Sequence, residues 1–491
     1  MLLKVKSLGL LAGRPVAIIH AETAKKLNVH IDERILVESK SGSIISVIDI
    51  AHGLLDEDSI ILSEEIMHYL KLHNKNEVEV SVAGEAESTH YIREKIKGIE
   101  LDKEKIEAII SDIVSNKLTE AEIAYFVAAE YINRMSMREI NYLTEAIVKT
   151  GKKLGIKDGI IADKHSIGGI AGNRTTPLVI SICASAGLCI PKTSSRAITS
   201  AAGTADVIET IAKVEFSVDE IKHLIKKINA CMVWGGALGL APADDKIIQV
   251  ERLLSLDPEA QLLASIVSKK VSAGSTHVLI DIPCGKSAKF TKGEGIELGK
   301  KFTNLGKRFG LKIRAIITDG TEPIGNGIGP ILEMQDVISV LKQENNRPMD
   351  LEEKSLFLAS ELLELTETAK KGRGIELARK LLKSGVAWLK FQEIIKAQNG
   401  NPNRKLDAAK YCWNVMANKT GRIFEINNKK INYVARAAGC PGDQSSGICL
   451  YKHCKEKISK GEKLLTIYSE SPQKLNSAKN LYNKIYPVVI K

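Results

Sequence analysis

Two polar clusters in this 491-residue chain have residue types suited to chemistry. The first is the segment 163–172, DKHSIGGIAG, which follows a short apolar run and precedes a helical pattern. Lys164 brings a positive charge and Ser166 a hydroxyl. Glycines beside a helix start let the backbone approach an anion. A turn that merely joins strand to helix would look the same in this segment alone. The second cluster, 192–204, reads KTSSRAITSAAGT and packs six hydroxyls, one Lys and one Arg into thirteen residues. It too lies between a strand pattern and a helix pattern. Two such loops on neighbouring strands would surround an anion from both sides. Neither the Gly-rich Lys-Ser/Thr phosphate loop nor the dinucleotide fingerprint is present, so an oxyanion site of another kind is expected.

Other residues carry more divided readings. Asp257 precedes Pro258 and an apolar helical run at 262–267. Asp before Pro at a helix start is a common cap, and the pattern by itself favours that over an acid. Lys286 and Lys289 follow the apolar strand ending near 282, in a third polar strand-end loop that a solvated turn explains equally well. His165 reads as a base, a phosphate donor or a structural residue, the last being commonest. Cys449, His453 and Cys454 have no common zinc spacing, so no metal is expected.

The positioning elements follow from periodicity. Residues 1–84 read as short β-branched strands (16–19, 35–38, 44–50, 78–82) with a helix at 21–27: a small β-rich, barrel-like domain. Residues 85–158 turn helical, at 105–115, 120–132 and 137–150, with helix starts near Thr119 and Ser136 and later helices around 219–265 joining them. From 159 to 420 strands (159–162, 188–190, 277–282, 312–318) alternate with helices, which implies an α/β domain on a parallel sheet. Thr175 or Thr176 is expected to cap the helix after the first cluster, with Leu178, Val179, Ile182, Cys183 and Ala186 as its buried stripe. Residues 421–491 read as a small α+β domain. Parallel sheets place ligands at the carboxyl ends of strands, where both clusters fall.

Composition sets the outer limits. The chain exceeds a single core, so three or four domains are expected. Only 4% of residues are aromatic, so the cores must be aliphatic. The net charge of +11 is spread among 59 acidic residues with no basic arm, which fits a solvated surface with a mild field for anions. Eight scattered cysteines without a C-x-x-C pair suggest reduced thiols. No signal-peptide pattern or apolar run of about 18 residues occurs, so a cytoplasmic protein without membrane partners is expected.

The ordered set DKHSIGG at 163–169, SSR at 194–196 and GTAD at 203–206 resembles the signature of the thymidine and pyrimidine-nucleoside phosphorylase family, over roughly residues 86–491. The β-rich N-terminal domain and the wording SRAITS at 195–200 are closer to its archaeal branch, whose members act on AMP. The resemblance implies a helical domain and an α/β domain across a cleft that closes on substrates. It implies phosphate at Lys164, Ser166, Ser194 and Thr204, and AMP at Gly169, Ser195, Arg196, Ala197, Ile198, Thr199, Ser200, Thr204, Ser265 and Lys289, with Asp257 as proton donor. It also implies phosphorolysis of AMP to adenine and ribose 1,5-bisphosphate, CMP and UMP as further substrates, no metal or organic cofactor, and a homodimer or larger homo-oligomer. Two departures separate the chain from pyrimidine-nucleoside enzymes. Arg252 does not align with their base-contacting Arg, and Lys289 replaces an aromatic residue, where a cation would meet a 5′-phosphate.

Three other readings stay open on sequence. A nucleoside phosphorylase would not need the 5′-phosphate. A phosphoribosyltransferase of related fold would use a pyrophosphorylated ribose with magnesium. A nucleic-acid-binding protein is suggested by charge alone, without basic stripes interleaved with aromatics.

Overall fold

The computed structural model describes residues 1–491 apart from Lys157, Asp158, Ile198, Thr199 and Ser255. Two compact units emerge, one of 1–151 with 241–265, the other of 152–240 with 266–491.

The first unit opens with a closed six-stranded barrel. Leu2–Lys6 completes it, pairing parallel with Ser59–Leu62 and antiparallel with Glu77–Val82. Sequence periodicity did not reveal Leu2–Lys6 or Ser59–Leu62. Ser59–Leu62 is buried at all four positions and so does not alternate. Closure leaves no edge open, and Ile19, Ile35, Val37, Ile48, Ile60 and Val80 fill the interior. A helical bundle follows, built from Ser88–Ile96, Lys103–Val114, Glu120–Asn133 and Met137–Thr150, with Pro242–Leu254 packed on it. Thr119 and Ser136 start their helices with reciprocal capping boxes to Glu122 and Glu139. Glu139 also holds Lys95 at 2.7 Å, a fully buried pair inside the bundle.

The second unit is built on parallel strands. Lys312–Asp319, His277–Cys284 and Ala162–Ser166 form one sheet in that order, and Ile190–Ser194 pairs with Ala230–Trp234. A parallel bridge from Ile161 to Cys189 joins the two groups. The helix Thr175–Ser185 is buried all round rather than along a stripe, because Met349–Leu365 and Val386–Ala397 both pack against it. The helix Val218–Ile228 was expected with the bundle but belongs to this unit. Its Ile221, Leu224 and Ile225 share a core with Cys231 and Val233 of the neighbouring strand.

Residues 421–491 add antiparallel strands and the helices Asn428–Ala437 and Pro472–Ile485. Their sheet recruits Gly327–Ile328, which pairs with Gly447–Leu450. Among the described residues, no helix is long and apolar enough to cross a membrane.

Candidate functional site

The first cluster is less of a loop than its composition suggests. Asp163, Lys164, His165 and Ser166 extend the strand Ala162–Ser166, and Lys192, Thr193 and Ser194 likewise belong to Ile190–Ser194. Charged residues inside a strand read as loop only while their burial is unknown.

Lys164 is wholly enclosed. Its Nζ donates to Thr175 Oγ1 at 2.7 Å and Thr176 Oγ1 at 3.3 Å. These two threonines therefore serve Lys164 instead of capping the helix, and Arg174 takes the N-cap position. An ammonium has three donors; the two hydroxyls leave one for an anion. Burial, opposed in part by Asp281 and reinforced by Lys354 and Arg174, lowers the Lys164 pKa to about 8.

Arg174 links the two clusters. Its guanidinium grips Glu333 at 2.6 Å, donates to Thr204 Oγ1 at 2.8 Å and to the Ala202 carbonyl at 2.9 Å. Since Thr204 accepts from Arg174, its own hydroxyl proton is left for a ligand. Lys164 and Thr204 are thus both tied to the amino end of the helix Thr175–Ser185, where backbone N–H groups favour an anion. Ser194 Oγ is shielded from solvent and finds no hydrogen-bond partner among the described residues. A buried hydroxyl without a partner is costly unless a ligand satisfies it.

Ser166 is differently disposed. It donates to Asp281 Oδ2 at 2.8 Å and accepts from Asn173 Nδ2 at 3.3 Å. Its hydroxyl would have to rotate away from Asp281 to donate to phosphate. Asp281 also accepts from Thr318 Oγ1 at 2.5 Å and lies 3.6 Å from Lys354 Nζ. Burial pushes its carboxyl pKa up, but Lys354, Lys164 and the two hydroxyls outweigh this and lower it. Beside Lys164, Asp163 pairs with Lys270 at 2.6 Å and Lys192 at 3.2 Å. Burial and the cations Lys270, Lys192 and Lys164 hold His165 well below its ordinary pKa, so it is neutral.

Glycines decide two close approaches. Gly172 has φ +67°, and a Cβ there would sit 2.4 Å from the Ile324 carbonyl oxygen. Gly169, at φ +88°, would bring a Cβ to 3.3 Å from Lys289 Cβ. The residues expected to hold AMP at 169 and 289 therefore meet.

The remaining expected residues divide. Ser195, Arg196, Ala197 and Ser200 lie in the loop after Ile190–Ser194. Arg196 is committed to Glu209 at 2.8 Å and Glu215 at 3.2 Å, and it stacks over Trp234. The Ala197 N–H donates to Asp206 at 2.7 Å, and Ser200 Oγ donates to the Ala202 carbonyl at 3.0 Å. Ile198 and Thr199 lie outside the described residues. Asp257 and Ser265 belong to the other unit. Asp257 is exposed, and the helix begins at Glu259, with the Pro258 carbonyl accepting its first bond from Leu262 N–H. Ser265 donates to the buried Asp244 at 2.9 Å.

Sequence reading missed Arg174, Asn173, Asp281, Thr318, Glu333 and Lys354. A usable signal existed for Asp281 alone, a carboxylate inside the apolar strand His277–Cys284. Among the described residues, no group of three or more His, Cys, Asp or Glu could hold a metal, and the eight cysteines form no disulfide.

Comparison with known proteins gives this arrangement a class. Residues 89–151 match the helical bundle domain of the glycosyl transferase family, 158–388 its α/β domain, and 423–489 the pyrimidine nucleoside phosphorylase C-terminal domain. The fold is similar to anthranilate phosphoribosyltransferase from Thermus thermophilus, with TM-score 0.53 and 16% identity over 63% of this chain and 99% of that one. At whole-chain level, the AMP phosphorylase of Thermococcus kodakarensis is 44% identical, covering 99% of this chain and 97% of its own. That of Pyrococcus furiosus is 42% identical over 99% and 97%, and that of Methanococcus maripaludis is 40% identical over 100% and 98%. The chain belongs to the AMP phosphorylase family.

Proposed function

We propose that the chain phosphorolyses AMP, giving adenine and ribose 1,5-bisphosphate. Whole-chain similarity to AMP phosphorylases carries this reading. The enclosed Lys164, with one donor left, gives inorganic phosphate a physical anchor. A phosphate oxygen bonds to C1′ of the ribose as the C1′–N bond breaks, and its electron pair leaves with adenine. Positive charge develops on the sugar, facing the bound dianion.

Phosphate is held by Lys164, Ser194 and Thr204, with Ser166 joining once its hydroxyl leaves Asp281. Gly169, Ser195, Arg196, Ala197, Ile198, Thr199, Ser200, Thr204, Ser265 and Lys289 hold AMP, with the Lys289 ammonium on the 5′-phosphate. Asp257 donates the proton that adenine needs to leave, a contribution of about 10²- to 10⁴-fold for general acid catalysis. CMP and UMP are further substrates. The reaction proceeds without metal or organic cofactor, and the protein works in the cytoplasm as a homo-oligomer.

The test is a product assay with inorganic phosphate and a panel of AMP, CMP, UMP, adenosine, uridine and thymidine, with and without chelator. Release of adenine and ribose 1,5-bisphosphate, unaffected by chelator, supports the proposal. Faster turnover of any nucleoside overturns it.

A further inference from the structure

The loops that carry the candidate site share one anchor from a distant part of the chain. The helix Asn428–Ala437 presents Asn428 and Asn432, four residues apart and so on one face. Both are buried, at 0% and 4% exposure. Asn428 Oδ1 accepts the Ala171 N–H at 3.1 Å, in the loop following the Lys164 strand. Its Nδ2 donates to the Gly320 carbonyl at 3.1 Å and to Ser287 Oγ at 3.0 Å, in the loops after the two neighbouring strands. Asn432 Oδ1 accepts the Ala201 N–H at 2.9 Å, in the loop between Ser194 and Thr204.

Packing repeats the pattern independently. Ala171 and Ala201, each 1% exposed, are members of the same hydrophobic core as Ile431, Val434 and Ala435 of that helix. Four strand-end loops are therefore tied, by hydrogen bond or side-chain burial, to one helix of the C-terminal domain. The Ala171 and Ala201 N–H groups have no strand or helix partner of their own, so an Asn oxygen supplies what secondary structure does not.

We propose that Asn428 and Asn432 are positioning residues for the reaction: they fix the strand-end loops in the register that lets Lys164, Ser194, Thr204 and Lys289 converge on substrate. This rests on the function proposed above. It assigns the C-terminal domain a part in assembling the site. Asn428 sets the loops bearing Gly169 and Lys289 relative to each other, and Asn432 sets the backbone at Ala201. Among the described residues only the acceptor oxygen of Asn432 is used, so Asp retains the bond to Ala201 at the cost of a buried carboxylate. Leu keeps the volume but leaves the Ala201 N–H unpaired.

The experiment compares full-length wild type with Asn432→Leu, Asn432→Asp and Asn428→Asp. It reads steady-state kinetics with AMP and phosphate, and peptide-resolved amide hydrogen exchange. Losing one buried hydrogen bond predicts about a tenfold rise in KM for AMP in Asn432→Leu, with kcat changed less. Asn432→Asp keeps the acceptor but buries a carboxylate, so its rise in KM should be clearly smaller than that of Asn432→Leu without vanishing. Exchange should quicken at 200–203 in Asn432→Leu and clearly less in Asn432→Asp. Asn428→Asp should quicken it at 285–291 and 320–325, since Gly320 loses its donor.

Unchanged exchange in these loops, or equal kinetic losses in the Leu and Asp variants at 432, overturns the positioning role. Loop exchange does not depend on turnover. If it responds as expected while wild type fails to split AMP, the function is refuted and the anchoring stands. If wild type splits AMP and exchange does not respond, the anchoring alone falls.

Discussion

Replacing Lys164 by Met tests the anion site most directly. Its ammonium is fully enclosed, and burial lowers its pKa from the ordinary 10.5 to about 8. That shift corresponds to about 3 kcal/mol disfavouring the charged form, which a bound dianion would offset. Two of its three donors are spent on Thr175 and Thr176. The third is worth about 1.5–3 kcal/mol as a charge-assisted bond, so Lys164→Met should lower kcat/KM for phosphate by about 10- to 150-fold. The sign of the pH dependence follows from the same shift. Below about pH 8 Lys164 is charged, as the proposed anion binding requires; above it the proton is lost. Wild-type kcat/KM for phosphate should therefore fall about tenfold per pH unit above 8, since at saturating AMP this parameter reports the enzyme form that has yet to bind phosphate. Burial also lowers the Lys192 pKa, against the pull of Asp163. The variant separates the two: its profile should lose the limb near 8 and keep any contribution from Lys192. Initial rates between pH 6 and 10 at saturating AMP measure this. A limb near 8 that survives in Lys164→Met, or an unchanged kcat/KM at pH 7, would refute the assignment of phosphate to Lys164.

Three further outcomes are expected. Asp257→Asn should cut kcat by about 10²-fold or more while leaving the AMP dissociation constant within about twofold, if Asp257 protonates the leaving base; unchanged turnover would remove that role. Lys289→Ala should raise KM for AMP by about tenfold and spare residual adenosine turnover, because only the nucleotide has a 5′-phosphate; equal losses on both substrates would contradict this. Arg174→Met should destabilise the protein by about 3–5 kcal/mol in denaturant unfolding, because it strands the enclosed Glu333 carboxylate; Arg174→Met with Glu333→Gln should recover much of the loss, and a double variant no better than the single would argue against that pair.

How far the site could be read from sequence depended on where each partner sits along the chain. Lys164, Ser166, Ser194 and Thr204 stood out as candidates because they crowd into two short segments at strand ends. Their order also resembles a family signature. The alternating strands and helices of 159–420 and the capping boxes at Thr119 and Ser136 were legible for a similar reason, since periodicity and caps are local. The groups that govern the ionisation of Lys164 and join the clusters were not. Asp281 stands 117 positions beyond Lys164, and Lys354 arrives on a helix where a lone Lys reads as solvated. Thr175 and Thr176 looked like caps because a hydroxyl before Pro177 usually is one; only the three-dimensional fold reveals a buried ammonium in reach. Asn428 and Asn432 mark the limit, lying more than 200 residues from the loops they hold at Ala171 and Ala201. A polar residue in a helix signals nothing by itself. What makes these two informative is a requirement at the other end, two buried backbone N–H groups in irregular loops that must find an acceptor. The same logic applies to Glu333, whose enclosed carboxylate requires a cation and finds it in Arg174, thereby joining the Lys164 helix to Thr204. The residues of the two clusters are local in sequence, and the groups that orient and charge them are drawn from the rest of the unit.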